Sequence, residues 1–102
     1  MNDFYLEKSS DPKKKFMVSY INKDTGRINT IKFGSAGMSD YLQHKDDERK
    51  QRYIKRHQVN EDWTDLTKGG TWSRYILWGE KSLNKSIKEM QKIFNINIHY
   101  IE

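Results

Sequence analysis

The order of patterns along this chain predicts an α+β fold, with a small antiparallel sheet covered on one face by about three helices. Three observations lead to this prediction. Two β-rich runs flank a glycine turn, segments with helical periodicity follow, and a short alternating run ends the chain. The 102 residues suffice for one small core, so a single domain is expected over residues 16–102.

A β-hairpin and a C-terminal strand make up the predicted sheet. The runs 16–21 and 28–33 are rich in β-branched and aromatic residues, and the turn between them contains Gly26. Residues 96–101 alternate between apolar and polar side chains in the same way. Each strand therefore offers one apolar side to a covering layer of helices.

Two of the predicted helices have clear end signals. Asp46 suits the N-cap of a helix over about 46–58, which is acidic in its first turn and basic in its last. Ser82 suits the N-cap of the other, and apolar residues follow it at helical spacing: Leu83, Ile87, Met90 and Phe94. Between them, Thr71 is expected to cap a shorter segment that ends at Gly79.

Residues 1–15 are predicted to form a mobile basic tail. They are mostly polar, contain the chain's single proline, Pro12, and end in three consecutive lysines, Lys13, Lys14 and Lys15. A tail of this kind can contact phosphate, although a tail that is only solvated is the commoner case.

Charge and composition favour a polyanionic partner and exclude several other classes of protein. The 19 basic and 14 acidic residues give a net charge of +5, and positive charge of this kind favours phosphate-bearing partners. The absence of cysteine excludes disulfides, thiolate zinc sites and cysteine nucleophiles. No apolar run approaches the roughly 20 residues of a membrane helix, and the N-terminus lacks a signal-peptide pattern. We therefore expect no membrane partner and no secretion.

The basic helix is the strongest functional candidate, because its cations can follow a phosphate backbone while nearby aromatic rings stack on bases or sugars. The predicted nucleic-acid-binding residues are Lys45, Arg49, Arg52, Tyr53, Lys55, Arg56, His57, Trp72 and Arg74. A solvated face balanced by neighbouring carboxylates is the alternative. Large aromatic residues such as Trp72 also suit the core of a chain this short.

Two pairs of residues four apart, Asp40 with His44 and His57 with Glu61, suggest a weaker alternative. Carboxylate and imidazole at this spacing can meet a divalent metal, and a histidine can then act as a general base in a nuclease. The chain contains no compact metallohydrolase motif, however. No metal, cofactor or catalytic residue is therefore predicted, and hydrogen bonding in a polar core is the commoner role of such histidines.

An ordered set of motifs runs through the block from Phe33 to Trp78. It comprises Phe33, Gly34, Gly37, Asp40 and Tyr41; His44, Lys45 and Asp46; Arg49, Tyr53, Arg56 and His57; Glu61 and Trp63; and Trp72, Ser73, Arg74, Leu77 and Trp78. In these motifs the chain resembles an uncharacterised family of small basic proteins encoded by giant DNA viruses and some tailed phages. The resemblance covers about residues 15–98 and departs at residues 69–71, where a Thr-Ala-Gly-like segment is expected.

The resemblance implies a viral origin and a role with the genome or in the virion, in the host cytoplasm or nucleoid, but it implies no established chemistry. The leading hypothesis is a virus-encoded basic protein that binds DNA or RNA with little sequence preference. One alternative is a structural protein–protein interaction module that faces an acidic virion protein, and a further one is a metal nuclease using His44, His57 and Glu61. An exposed strand edge also predicts a homo-oligomer.

Overall fold

A four-stranded mixed sheet forms one layer of the computed structural model, which describes residues 2–102. The strands are β1 (Asp3–Lys8), β2 (Lys14–Ile21), β3 (Ile28–Ser35) and β4 (Asn97–Ile101), in the spatial order β3-β2-β1-β4. The helices are α1 (Tyr41–His44), α2 (Asp47–His57), α3 (Gly69–Trp72) and α4 (Leu83–Phe94), with a π-helical turn at Ser73–Leu77. The predicted α+β class is confirmed.

The predicted mobile tail at residues 1–15 is wrong, because most of it is ordered structure; Met1 lies outside the described residues. β1 is an inner strand that pairs antiparallel with β2 and parallel with β4. Its Phe4 and Leu6 point into the core and are 3% and 0% exposed. Two apolar residues among polar neighbours are a weak local signal, and the strand β4 that pairs with them comes from the far end of the chain.

The sheet is mixed rather than antiparallel as predicted. The hairpin of β2 and β3 is confirmed, with Phe16 opposite Phe33. β4, however, runs parallel to β1, from Asn97 beside Asp3, because α4 returns the chain to the point where β1 begins. The outer strands are β3 and β4, and edge pairing into a homo-oligomer stays a prediction.

The core lies between the inner face of the sheet and a helical layer made of α3, the π-helical turn and α4. Its fully buried hydrophobic side chains are Leu6, Val18, Trp72, Ile76 and Met90. The Trp72 ring lies 5.3 Å from that of Phe4, and its indole N–H donates to the carbonyl oxygen of Leu66 at 3.0 Å. Since Trp72 is 0% exposed, the prediction that it contacts nucleic acid is wrong.

Two of the three predicted helix N-caps are confirmed, and the third is wrong. The side chains of Asp46 and Ser82 cap α2 and α4 as predicted, through backbone N–H groups of the first turn. Thr71 is not a cap but lies inside α3, where its hydroxyl donates to the carbonyl oxygen of Asp65 at 2.6 Å. None of the helices within residues 2–102 is long and apolar enough to cross a membrane.

Alternation along β1 predicts different effects for two neighbouring substitutions. Leu6→Ala should lower the free energy of unfolding by about 2–5 kcal/mol, because it leaves a cavity in the core. Tyr5→Ala should cost about 1 kcal/mol or less, because Tyr5 lies on the opposite face and is 42% exposed. Urea unfolding followed by tryptophan fluorescence measures both values, and equally small effects would contradict an ordered β1.

Candidate nucleic-acid interface

A cleft with a volume of about 490 Å³ lies between the β2–β3 hairpin and α2. Six of the described lysines and arginines line it: Lys14, Lys15 and Lys32 from the strands, and Arg49, Arg52 and Arg56 from α2. Among the lining residues, all from the described part of the chain, Asp40 alone carries a carboxylate. We refer to this concave surface as the cationic cleft.

The helical wall of the cleft follows from the spacing of its arginines. Arg49, Arg52 and Arg56 are three and four residues apart, so they project from one face of α2. The start of the helix is fixed by Asp46, whose carboxylate accepts from the backbone N–H groups of Glu48 and Arg49 at 3.0 and 3.3 Å. Capping and spacing together therefore determine where this row of guanidinium groups lies.

Tyr53 attaches this helix to the rest of the protein. Its ring is nearly parallel to that of Trp78, at 4.3 Å between centroids and 4° between planes. It also stacks on His57, at 4.3 Å and 29°. Desolvation by burial raises the pKa of Tyr53 to about 12. An aromatic column of Trp78, Tyr53 and His57 thus reaches the cationic cleft, which all three residues line.

His57 is held in place by Glu61. The imidazole Nδ1 lies 2.5 Å from Oε2 of Glu61, and the other carboxylate oxygen accepts from the indole N–H of Trp63 at 3.4 Å. Gly70 makes room for this carboxylate, since a Cβ atom at Gly70 would lie 2.1 Å from Oε1 of Glu61. The hydrogen bond and the stacking on Tyr53 leave the imidazole little freedom to rotate.

The ligands proposed for a metal nuclease are only partly brought together. His57 and Glu61 are in contact, but His44 has another role: its Nδ1 accepts from the backbone N–H of Asp46 at 3.0 Å, and its ring lies 5.2 Å from that of Trp78. Within residues 2–102, no group of three or more His, Asp or Glu side chains is arranged to hold a metal ion. The described residues therefore give the nuclease hypothesis no set of ligands.

Lys15 and Asp40 form a buried ion pair at the edge of the cleft, with side chains only 13% and 4% exposed. Asp40 also accepts from the backbone N–H of Gln43 at the start of α1. One of the six cleft cations is thus neutralised. A guanidinium nitrogen of Arg52 lies 3.8 Å from a carboxylate oxygen of Glu48, but both side chains are exposed. Exposed ion pairs of this kind contribute little to the free energy of unfolding.

The remaining cleft cations have no carboxylate partner within residues 2–102. Lys14, Lys32, Arg49 and Arg56 lie beyond ion-pair distance of every described acidic group, and Arg49 donates to the hydroxyl of Ser39 at 2.8 Å. All four are exposed. Their charge is available to an anion that enters the cleft.

Of the nine predicted binding residues, the structure brings five into the cleft: Arg49, Arg52, Tyr53, Arg56 and His57. Lys55 lies outside it. Lys45 also lies outside, at the left-handed C-cap of α1, where its ammonium donates to the carbonyl oxygen of Leu42 at 2.8 Å. Trp72 is in the core. Lys14 and Lys15 belong to the predicted basic tail that can contact phosphate, but they were not predicted as site residues. Lys32 was missed, because no local signal in the sequence marks it.

Arg74 is turned away from the cleft, contrary to its predicted contact with nucleic acid. Its guanidinium lies over the rings of Trp63 and Tyr75, at 5.4 and 5.0 Å from their centroids. It also donates to the carbonyl oxygen of Trp78 at 3.1 Å. Burial lowers the pKa of Arg74. Arg74 therefore supports the aromatic residues from within and does not face a ligand in the cleft.

The buried ion pair should matter far more for stability than the exposed one. Asp40→Asn leaves the Lys15 ammonium buried without a counter-charge and should lower the free energy of unfolding by about 3 kcal/mol. Glu48→Gln removes the partner of Arg52 and should cost less than about 1 kcal/mol. Urea unfolding of both variants tests this, and equal losses would contradict the structural role of Asp40.

Stability should fall at alkaline pH. The pKa of Tyr53 is about 12 in the folded state because of burial, against about 10 for an unfolded tyrosine. A folded-state pKa above the unfolded value contributes stability that is complete below pH of about 10 and is lost as the pH rises towards about 12. Tyr53→Phe should reduce this loss, while the exposed Tyr5→Phe should not. Urea unfolding between about pH 9 and about pH 12 measures the free energy of unfolding of each variant and of the unaltered protein. If Tyr53→Phe loses as much stability over this range as the unaltered protein, the buried Tyr53 is not the cause.

The comparisons with known proteins give a family and no function. Searches of curated proteins and of solved structures find no match to the chain. A family model matches residues 5–57, and its description is a family of unknown function, DUF5754. The matched segment contains residues 5–8 of β1 and all of β2, β3, α1 and α2, and so both cationic walls of the cleft. The match covers about half of the chain, and the protein belongs to the DUF5754 family.

Proposed function

We propose that this protein binds nucleic acid through the cationic cleft, with little preference for base sequence. One observation carries the proposal: six lysine and arginine side chains from two strands and a helix, all within the described residues, converge on one concave surface. A single carboxylate, Asp40, accompanies them and is already paired with Lys15. Neutralising phosphates with such side chains releases counterions and is the main source of sequence-independent affinity.

The shape of the surface adds to the effect of its charge. A cleft with low-dielectric walls focuses the field of its charges and raises the local concentration of an oppositely charged ligand. The cleft walls lie on α2 and on paired strands, so the charges are spaced by regular backbone geometry rather than by loops. An extended phosphate backbone can therefore contact several cations at the same time.

The lining of the cleft also supports weak sequence preference. Asn and Gln, the side chains that pair with adenine edges, do not occur among the described lining residues, so the lining offers no bidentate contact to adenine. Lysine and arginine contacts to phosphate orient a nucleic acid but carry no sequence information. The resemblance to viral proteins makes a viral genome or transcript the proposed partner.

Two arginine substitutions test where binding occurs. Arg56→Ala removes a cleft cation, whereas Arg27→Ala removes an exposed cation from the turn between β2 and β3, at the other end of the hairpin. Each lowers the net charge by one. Arg56→Ala should weaken binding and reduce the magnitude of the slope of log K against log salt by about 1. Arg27→Ala should change neither quantity.

Fluorescence anisotropy of labelled DNA and RNA, at low and near-physiological salt, measures both quantities. Equal weakening by the two variants would mean that net charge acts without a defined site. Absence of binding to any nucleic acid at low salt would overturn the proposal and leave an acidic protein as the partner to test.

A further inference from the structure

We infer that the cationic cleft takes single-stranded nucleic acid and that an unpaired base stacks on His57. This inference rests on the proposed function and specifies its ligand. The juxtaposition that carries it is an aromatic column, Trp78 to Tyr53 to His57, that ends among the phosphate-binding cations of the cleft.

The size of the cleft favours a single strand. A volume of about 490 Å³ lies in the range of sites that enclose small ligands, about 300–1,000 Å³. One nucleotide unit fits such a space, whereas the paired and stacked bases of a duplex do not. Proteins that read a duplex insert a protruding helix or ribbon into its groove, and this surface is concave where its charge is concentrated.

His57 is suited to receive a base because its ring is only partly covered. Among the described residues Tyr53 is the single aromatic side chain that stacks on it. Its side chain is 39% exposed, and it lines the cleft. Tyr53, by contrast, is only 9% exposed and contacts both neighbours in the column. Part of the His57 side chain is therefore accessible at the cleft, and a base can extend the column there.

The imidazole is also preorganised for this role. Its hydrogen bond to Glu61 and its stacking on Tyr53 fix the ring before any ligand arrives, so little conformational entropy is lost when a base stacks. Arg52 and Arg56 precede His57 on the same helix and line the same cleft. Phosphates on either side of the stacked base can therefore reach guanidinium groups. A duplex would first have to unstack and unpair that base.

His99 is a matched control for His57 within the same chain. It also stacks on a tyrosine, Tyr5, at 4.9 Å, and it also contacts a carboxylate, that of Asp3 at 3.0 Å. Its side chain is 50% exposed, but it lies on β4 and does not line the cationic cleft. The two histidines differ mainly in whether phosphate-binding cations surround them.

Anisotropy with three labelled probes tests the inference: a single strand, a hairpin duplex with the same number of phosphates, and a single strand of abasic sites. The base-containing single strand should bind most tightly to the unaltered protein. His57→Ala should weaken its binding between about 5-fold and about 150-fold, as expected for the loss of one stacked base. His57→Phe, which retains an aromatic ring, should bind it nearly as well as the unaltered protein, and His99→Ala should have no effect.

The outcomes separate the two proposals. Equal binding of all three probes, with His57→Ala no weaker than His99→Ala, would overturn the single-strand inference and leave the proposed function intact. Failure of every probe to bind at low salt would overturn both. If His57→Ala does not fold, as judged by circular dichroism, the affinities of the unaltered protein for the three probes still test the single-strand inference. A preference for the duplex or for the abasic strand contradicts the inference.

Discussion

The stacking of Tyr53 on Trp78 is the contact on which the cationic cleft depends. Tyr53 is the one buried residue of α2 within the described chain, so the helix has no row of aliphatic side chains to hold it. A hydrogen bond from the Lys50 ammonium to the carbonyl oxygen of Gly79, at 2.5 Å, supplements the ring contact. Because α2 carries the three cleft arginines, the shape of the cleft depends on one aromatic pair and a few polar contacts.

The segment from Trp72 to Trp78 packs against both α2 and the sheet and so fixes the position of one relative to the other. Trp72, at one end, packs against Phe4 and Phe33 of the strands, at 5.3 and 6.3 Å between ring centroids. Trp78, at the other end, stacks on Tyr53 of α2. The two residues are separated by a π-helical turn whose Ile76 and Leu77 are buried. The lysines of the hairpin and the arginines of α2 are thus positioned against the same short segment of chain.

Local sequence patterns were sufficient to predict some structural elements, but elements that depend on long-range contacts could not be predicted from them. The caps at Asp46 and Ser82 and the β2–β3 hairpin follow from residues close in sequence, and the structure confirms them. β1 depends on pairing with β4, and Asp3 and Asn97 are 94 positions apart. Trp72 and Trp78 lie in the same short segment, and no local pattern distinguishes them. Only tertiary packing places Trp72 in the core and leaves Trp78 partly exposed. For the same reason the strand lysines of the cleft could not be assigned before the sheet was known.

Gathering like charges in the cleft has an energetic cost that bears on its proposed function. Folding brings Lys14 and Lys32 towards Arg49, Arg52 and Arg56, and like charges gathered in this way repel one another. Asp40 offsets Lys15 alone. A polyanion bound in the cleft would relieve the repulsion and, because it binds the folded state, would stabilise the fold. Salt would relieve the same repulsion in the free protein but would weaken the complex. Ionic strength therefore acts in opposite directions on the free fold and on its proposed complex, which links the stability of the cleft to its ligand.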